Sequence, residues 1–202
     1  MRYVTCLLGF GLLGLAGCAD AEDPDQGENE GELITTVRLG LTPTGGTATE
    51  YSWADIEMDG SPVIDAIELD ADVIYAVAVR FIDEASDPAE EITSEVNEEG
   101  DEHQVFFTGS AVSGPAVATD AAAPILHAYD DADVNGLPIG LKNSFTAQTV
   151  GAGDLIVTLR HLPPENDAAV KVEGLAQMVA TDGFSAIGGA NDVQVTFPVT
   201  VE

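Results

Sequence analysis

Val73-Ile74-Tyr75-Ala76-Val77-Ala78-Val79-Arg80-Phe81-Ile82 is a run of β-branched, aromatic and small apolar residues with no helical period. Val73, Tyr75, Val77, Val79 and Phe81 recur every second residue, the spacing at which side chains share one face of a strand. The opposite face carries Ile74, Ala76, Ala78 and Ile82. A strand apolar on both sides belongs near the centre of a sheet.

Working outward, the same alternation returns on either side. Thr35, Val37, Leu39 and Leu41 alternate with Thr36, Arg38 and Gly40, which predicts a half-buried strand. Tyr51 and Trp53 put two aromatics on the core side of a second strand. Ile67 and Leu69 make a short third. Beyond the central run, His103 to Thr108 resumes strand, and Ile125 to Tyr129 with Leu141 to Val150 reads as a hairpin with a long loop. Leu155, Val157 and Leu159 alternate with Ile156, Thr158 and Arg160. Val193 to Val201 closes the chain, with Pro198 pointing to an edge or a bulge. Lys171 to Gly189 is interrupted by glycines and takes no clear assignment.

One helix breaks the pattern. Asp87-Pro88-Ala89-Glu90-Glu91 supplies a capping acid, proline at the first helical position and carboxylates in the first turn, and Gly100 ends it. Roughly eight to nine short strands with one short helix predict a mainly β chain: a single antiparallel β-sandwich of Ig-like, Greek-key type over residues 33–202. A barrel is the alternative closure.

The amino terminus carries the address. Arg2 precedes an apolar run from Leu7 to Ala16, the shape of a secretory signal peptide and too short to span a bilayer. It ends in Leu15-Ala16-Gly17-Cys18, which resembles the bacterial lipobox. That resemblance implies cleavage after residue 17 and acylation of Cys18, so that residues 1–17 are signal and the partner at this end is a membrane. Residues 18–32 are acidic and lack branched or aromatic side chains, the composition of a self-repelling tether. Ala19, where an inner-membrane retention signal would place aspartate, implies an outer-membrane location by resemblance to enterobacterial sorting, on the periplasmic face or at the cell surface.

Charge narrows the partners. The chain has 36 acidic and 6 basic residues, a net charge of −30, and loses Arg2 on cleavage. Such a field opposes nucleic acid and anionic head groups. An apolar content of 45% is too high for general disorder. Cys6 leaves with the signal and Cys18 takes lipid, so no thiol remains for a disulfide, a zinc site or a nucleophile.

Asp131-Ala132-Asp133-Val134-Asn135-Gly136 has oxygen side chains at every second position followed by glycine, the first half of a calcium loop. Asp131, Asp133 and Asn135 are the candidate Ca²⁺ ligands. The bidentate glutamate of an EF-hand is missing, because Lys142 occupies that place. Asn-Gly and Asp are equally the chemistry of a hairpin turn, so turn and metal loop both stand. His103, His127 and His161 lack ligand spacing, and neither Ser144 nor Ser185 lies in a nucleophile elbow. No catalytic constellation emerges.

Four stretches, Gly31 to Val37, Asp101 to Phe107, Asp131 to Lys142 and Leu155 to His161, together resemble a family of small lipoproteins of Bacteroidota and related marine bacteria. Members often carry the label type 1 periplasmic binding fold superfamily protein. The label implies two α/β lobes and solute binding for a transporter, whereas the residue pattern implies one all-β body. The expectation is a non-catalytic binding or interaction module on a lipid anchor, its protein or glycan partner unspecified. The alternatives are a transport-linked solute-binding lipoprotein and a calcium-stabilised adhesion domain.

Overall fold

The structure is a computed structural model that describes residues 32–166 and 168–202. The signal segment, Cys18 and the tether up to residue 31 lie outside the described residues.

Twelve strands and two helices form among the described residues. The first half contains β1 (Thr36–Pro43), β2 (Thr49–Ala54), β3 (Val63–Ile64), β4 (Ile67–Leu69), β5 (Ile74–Asp83), β6 (Glu90–Glu91) and α1 (Thr93–Glu98). The second contains β7 (His103–Thr108), β8 (Val112–Ser113), β9 (Ile125–Tyr129), β10 (Lys142–Ala147), β11 (Gly151–His161), α2 (Leu175–Asp182) and β12 (Ala190–Val201). The chain is mainly β, as its alternation predicts, and its strands lie in two sheets, one of them curled into a half-barrel. The larger sheet runs β3-β2-β1-β5-β10-β9-β8, with β6 on the end of β5, and the smaller runs β4-β12-β11-β7.

The inner faces of both sheets supply one apolar core. Val37, Leu39 and Leu41 of β1 join Tyr75, Val77, Val79 and Phe81 of β5, while Val157, Leu159, Phe197 and Val199 come from the smaller sheet. Burial of these faces is the main stabilising term, at roughly 25 cal/mol per Å² of apolar surface removed from water.

β5 is central, flanked by β1 and β10. Its second face, apolar in composition, is nonetheless open over most of its length: Ile74 is 52% exposed, Ala76 and Ala78 are exposed beside it, and Ile82 is buried. Small side chains on a solvated face keep the alternation from reading as polar.

Several expectations need correction. The pairs β4·β12 and β8·β9 are parallel, so neither sheet is purely antiparallel. The strand total exceeds eight to nine because β3, β6 and β8 are two-residue ladders, too short to show a period. The first helix begins at Thr93 rather than Pro88: Glu90 and Glu91 pair with Asp83 and Ile82, and Glu91 ion-pairs with Arg80, so the expected first turn is spent on the sheet. A second helix, α2, fills the unassigned 171–189 region. It covers the outer side of β7 through a second cluster in which Phe106, Leu162, Leu175 and Val179 meet. Pro198 lies one residue before β4 begins to pair with β12 at Val199, where β12 is still an edge that lacks a ladder to feed.

Candidate functional site

The Asp131–Gly136 stretch lies in the loop joining β9 to β10, which pair antiparallel as the hairpin reading requires. Its carboxylates are turned to the protein itself. Asp131 accepts N–H groups from Gly140 at 2.7 Å, Leu141 at 2.8 Å and Lys142 at 2.9 Å, using both oxygens. Asp133 Oδ1 accepts from Asn135 and Leu137 at 2.8 and 2.9 Å, and Gly136 completes the turn with a positive φ. Asp133 Oδ2 faces a cation, and that cation is the Lys171 ammonium at 2.9 Å.

Lys171 is one of two lysines in the chain, and its side chain is fully buried. Its Nζ also donates to Gly100 O at 2.6 Å, which ties the loop, the segment before α2 and the turn after α1 together. Burial raises the Asp133 carboxyl, but the Lys171 ammonium and the Leu137 and Asn135 amides outweigh it and hold the group below the usual carboxylate range. Burial lowers the Lys171 ammonium, with the carboxylates of Asp133, Asp101 and Asp131 opposing. The geometry therefore fits the turn reading. The protein's own ammonium occupies the place where a calcium loop would hold its metal. Among the described residues no three His, Cys, Asp or Glu side chains converge to hold a metal ion.

This braced loop forms one wall of a cavity of about 460 Å³. Gln104 and Tyr129 lie at its base, Asn135 and Leu137 on the loop side, and Leu175 and Gln177 on the α2 side. The base is rigid. The Tyr129 hydroxyl donates to Val105 O at 2.9 Å and accepts from Gln104 Nε2 at 3.4 Å, and burial raises its phenol. α2 starts at Gly174, in the left-handed region with φ 87°, without a side-chain cap and without an acid in its first turn. The leading N–H groups of a helix have no intrahelical acceptor, and here they border the cavity. Of the motif residues, Asn135 and Gly136 reach this cavity, while Asp131 and Asp133 serve as its struts.

The histidines separate into a pair and a single core residue. His127 is buried among Phe107, Tyr129 and Phe145. Its Nε2 donates to Asn143 Oδ1 at 3.0 Å, the orientation fixed by Asn143 Nδ2 donating to Gly140 O. Burial lowers it to about 4, so it is neutral at physiological pH.

His103 and His161, far apart in sequence, are opposite each other on β7 and β11 and stack at 4.6 Å, 5° from parallel. A register shift between β11 and β12 at Leu159/Arg160 makes Asp192 a bulged residue. Bulges re-aim side chains, and this one directs Asp192 at His103, with Oδ2 3.8 Å from Nε2. The His161 Nε2 lies 3.8 Å from Glu102 Oε2. Spacing on the chain could not reveal this cluster, because strand register and a bulge create it.

No family model matches this chain, and no curated protein or solved structure matches it.

Proposed function

We propose that the chain is a non-catalytic binding module, held at the outer membrane by lipid on Cys18, whose ligand enters the cavity between the Asp131–Leu141 loop and the start of α2. The cavity carries this reading. Its volume lies in the range of small-molecule sites, roughly 300–1,000 Å³. It combines apolar walls from Leu137 and Leu175 with the amides of Gln104, Asn135 and Gln177. Glu173 at its rim and the net charge of −30 oppose an anion, and the positive end of α2 opposes a cation, so the ligand class is a small uncharged polar molecule of about sugar size. The body is read as a Greek-key-like β-sandwich, supported by the single core shared between two sheets.

The anchor rests on the signal-peptide shape and the lipobox-like Leu15 to Cys18. No helix among the described residues is long and apolar enough to cross a membrane. The transport-linked reading asks for a cleft between two lobes, and the described residues form one compact unit. The calcium-stabilised reading asks for carboxylate oxygens that Asp131 and Asp133 give to backbone amides and Lys171.

A thermal-shift panel of neutral saccharides tests the cavity. A binder raises the melting temperature by mass action, and Gln177→Trp, at an exposed position on the rim, should abolish the rise without changing the unliganded melting temperature. A ligand whose shift survives Gln177→Trp binds elsewhere and contradicts the assignment.

A further inference from the structure

The pair formed by His103 and Asp192 lies outside the lining of the cavity. Both side chains are buried, at 0% and 1% exposure. His103 Nε2 and Asp192 Oδ2 lack a hydrogen-bond partner among the described residues. The His103 tautomer is set by its other nitrogen: Nδ1 lies 3.2 Å from Glu99 O, and a carbonyl only accepts, so Nδ1 carries the hydrogen. The Nε2 lone pair of the neutral ring therefore faces a carboxylate oxygen. Two buried acceptors face each other at 3.8 Å without a shared hydrogen, an arrangement that costs free energy.

A single proton removes the conflict. Taken from solvent, it bonds to Oδ2, and an approach of about 1 Å from the observed 3.8 Å lets it donate to Nε2. The Glu32 N–H also bonds Asp192 and favours its ionised form, opposing the proton. With that proton shared, both orphaned atoms of the pair are satisfied. We propose that His103 and Asp192 form a buried proton-holding dyad, drawn together when it carries one proton and left as two facing acceptors when that proton leaves.

The surroundings agree. Burial drives Asp192 up to about 6, with His161, the Glu32 amide and Arg160 pulling partly back. Burial drives His103 down to about 4; the Glu99 carbonyl opposes this, and positive charge on His161 and Lys171 adds to it. The charged groups facing the pair are Glu32 before β1, Glu95 on α1, Glu99 and Glu102 in the following turn, Arg160 and His161 on β11, and Lys171. Glu32 itself is raised, first by burial and then by Glu95, Asp192 and Glu99, so acid also quiets repulsion at the same point.

The signs can be separated. The Asp192 contribution is fully present below the unfolded carboxylate value and is lost as pH rises through about 6. The His103 contribution is present above the unfolded imidazole value and is lost as pH falls through about 4. Between those limits each state holds one proton, on Asp192 when folded and on His103 when unfolded, so the two nearly cancel in the native protein.

Asp192→Asn isolates the first contribution, because its amide donates permanently to Nε2 and its carbonyl still accepts from Glu32. The variant should be more stable than the native chain at pH 8. The gap in folding equilibrium should shrink by roughly a hundredfold on descent to pH 4, the ratio implied by a carboxyl near 6 instead of its ordinary value. Nuclear magnetic resonance titration of the native side chains should find the Asp192 carboxyl taking one proton near pH 6 while His103 stays neutral. An Asp192 titrating at the ordinary carboxylate value, or a stability gap constant across pH, would overturn the dyad.

Discussion

At the scale of single residues, the clearest lesson is Lys171. In a chain with six cations and 36 acids, one lysine is withdrawn from solvent to neutralise Asp133. Removing one member of a buried pair costs more than the pair contributes, because the other charge is left in low dielectric. Lys171→Met should therefore destabilise the body by about 3–5 kcal/mol. The double variant Lys171→Met with Asp133→Asn should recover part of that loss. Urea denaturation monitored by the tryptophan, Trp53, reads both. An unchanged unfolding midpoint in the single variant would show that the pair bears no load on the loop. None of this was legible beforehand: Asp131 and Asp133 announced a turn or a metal loop, but the residue that answers Asp133 lies in a segment whose glycines hid its structure.

At the scale of elements, β1, β5, β11 and β12 were legible because each is long enough to display a period of two, and each has a buried face that selects apolar residues. Two-residue ladders such as β3 and β8 carry no period at all. α2 was missed for a local reason: its buried positions are only Leu175, Ala176 and Val179, and it is bounded by Gly174 and Gly183 rather than by a polar cap. The chemistry of Asp87-Pro88 suits a helix start, but β5 claims Glu90 and Glu91 as ladder partners and α1 begins only at Thr93.

The loop that walls the cavity depends on one backbone position in particular. Gly140 has φ 89°, and a Cβ there would fall 2.9 Å from Val105 Cβ and from Val105 O. Gly140→Ala should cost about 1–3 kcal/mol through that backbone strain. It should also weaken any ligand of the cavity, since the same residue gives its N–H to Asp131. A circular-dichroism melt indistinguishable from the native one would contradict the loop's geometry. The histidine pair belongs to this scale too. Nothing in the spacing of His103, His161 and Asp192 brings them together; the β7–β11 register and the bulge in β12 do.

For the whole molecule, composition and the alternation of apolar residues were the most legible features. A core of alternating apolar residues under an intensely acidic surface predicts a mainly β body that avoids polyanions, and the two sheets with a common core agree with the first half of that statement. Strand order was not legible, because pairing between distant strands is decided by packing across the core rather than by any local signal. The functional reading joins the cavity to an anchor at the other end of the chain, so the anchor is where it is most exposed to refutation. Mass spectrometry of the protein recovered from its own cells tests it directly. A mature amino terminus at Cys18 bearing diacylglycerol and fatty acid is the expected result, and a chain that begins elsewhere or carries an unmodified Cys18 would contradict a lipid-held binding module.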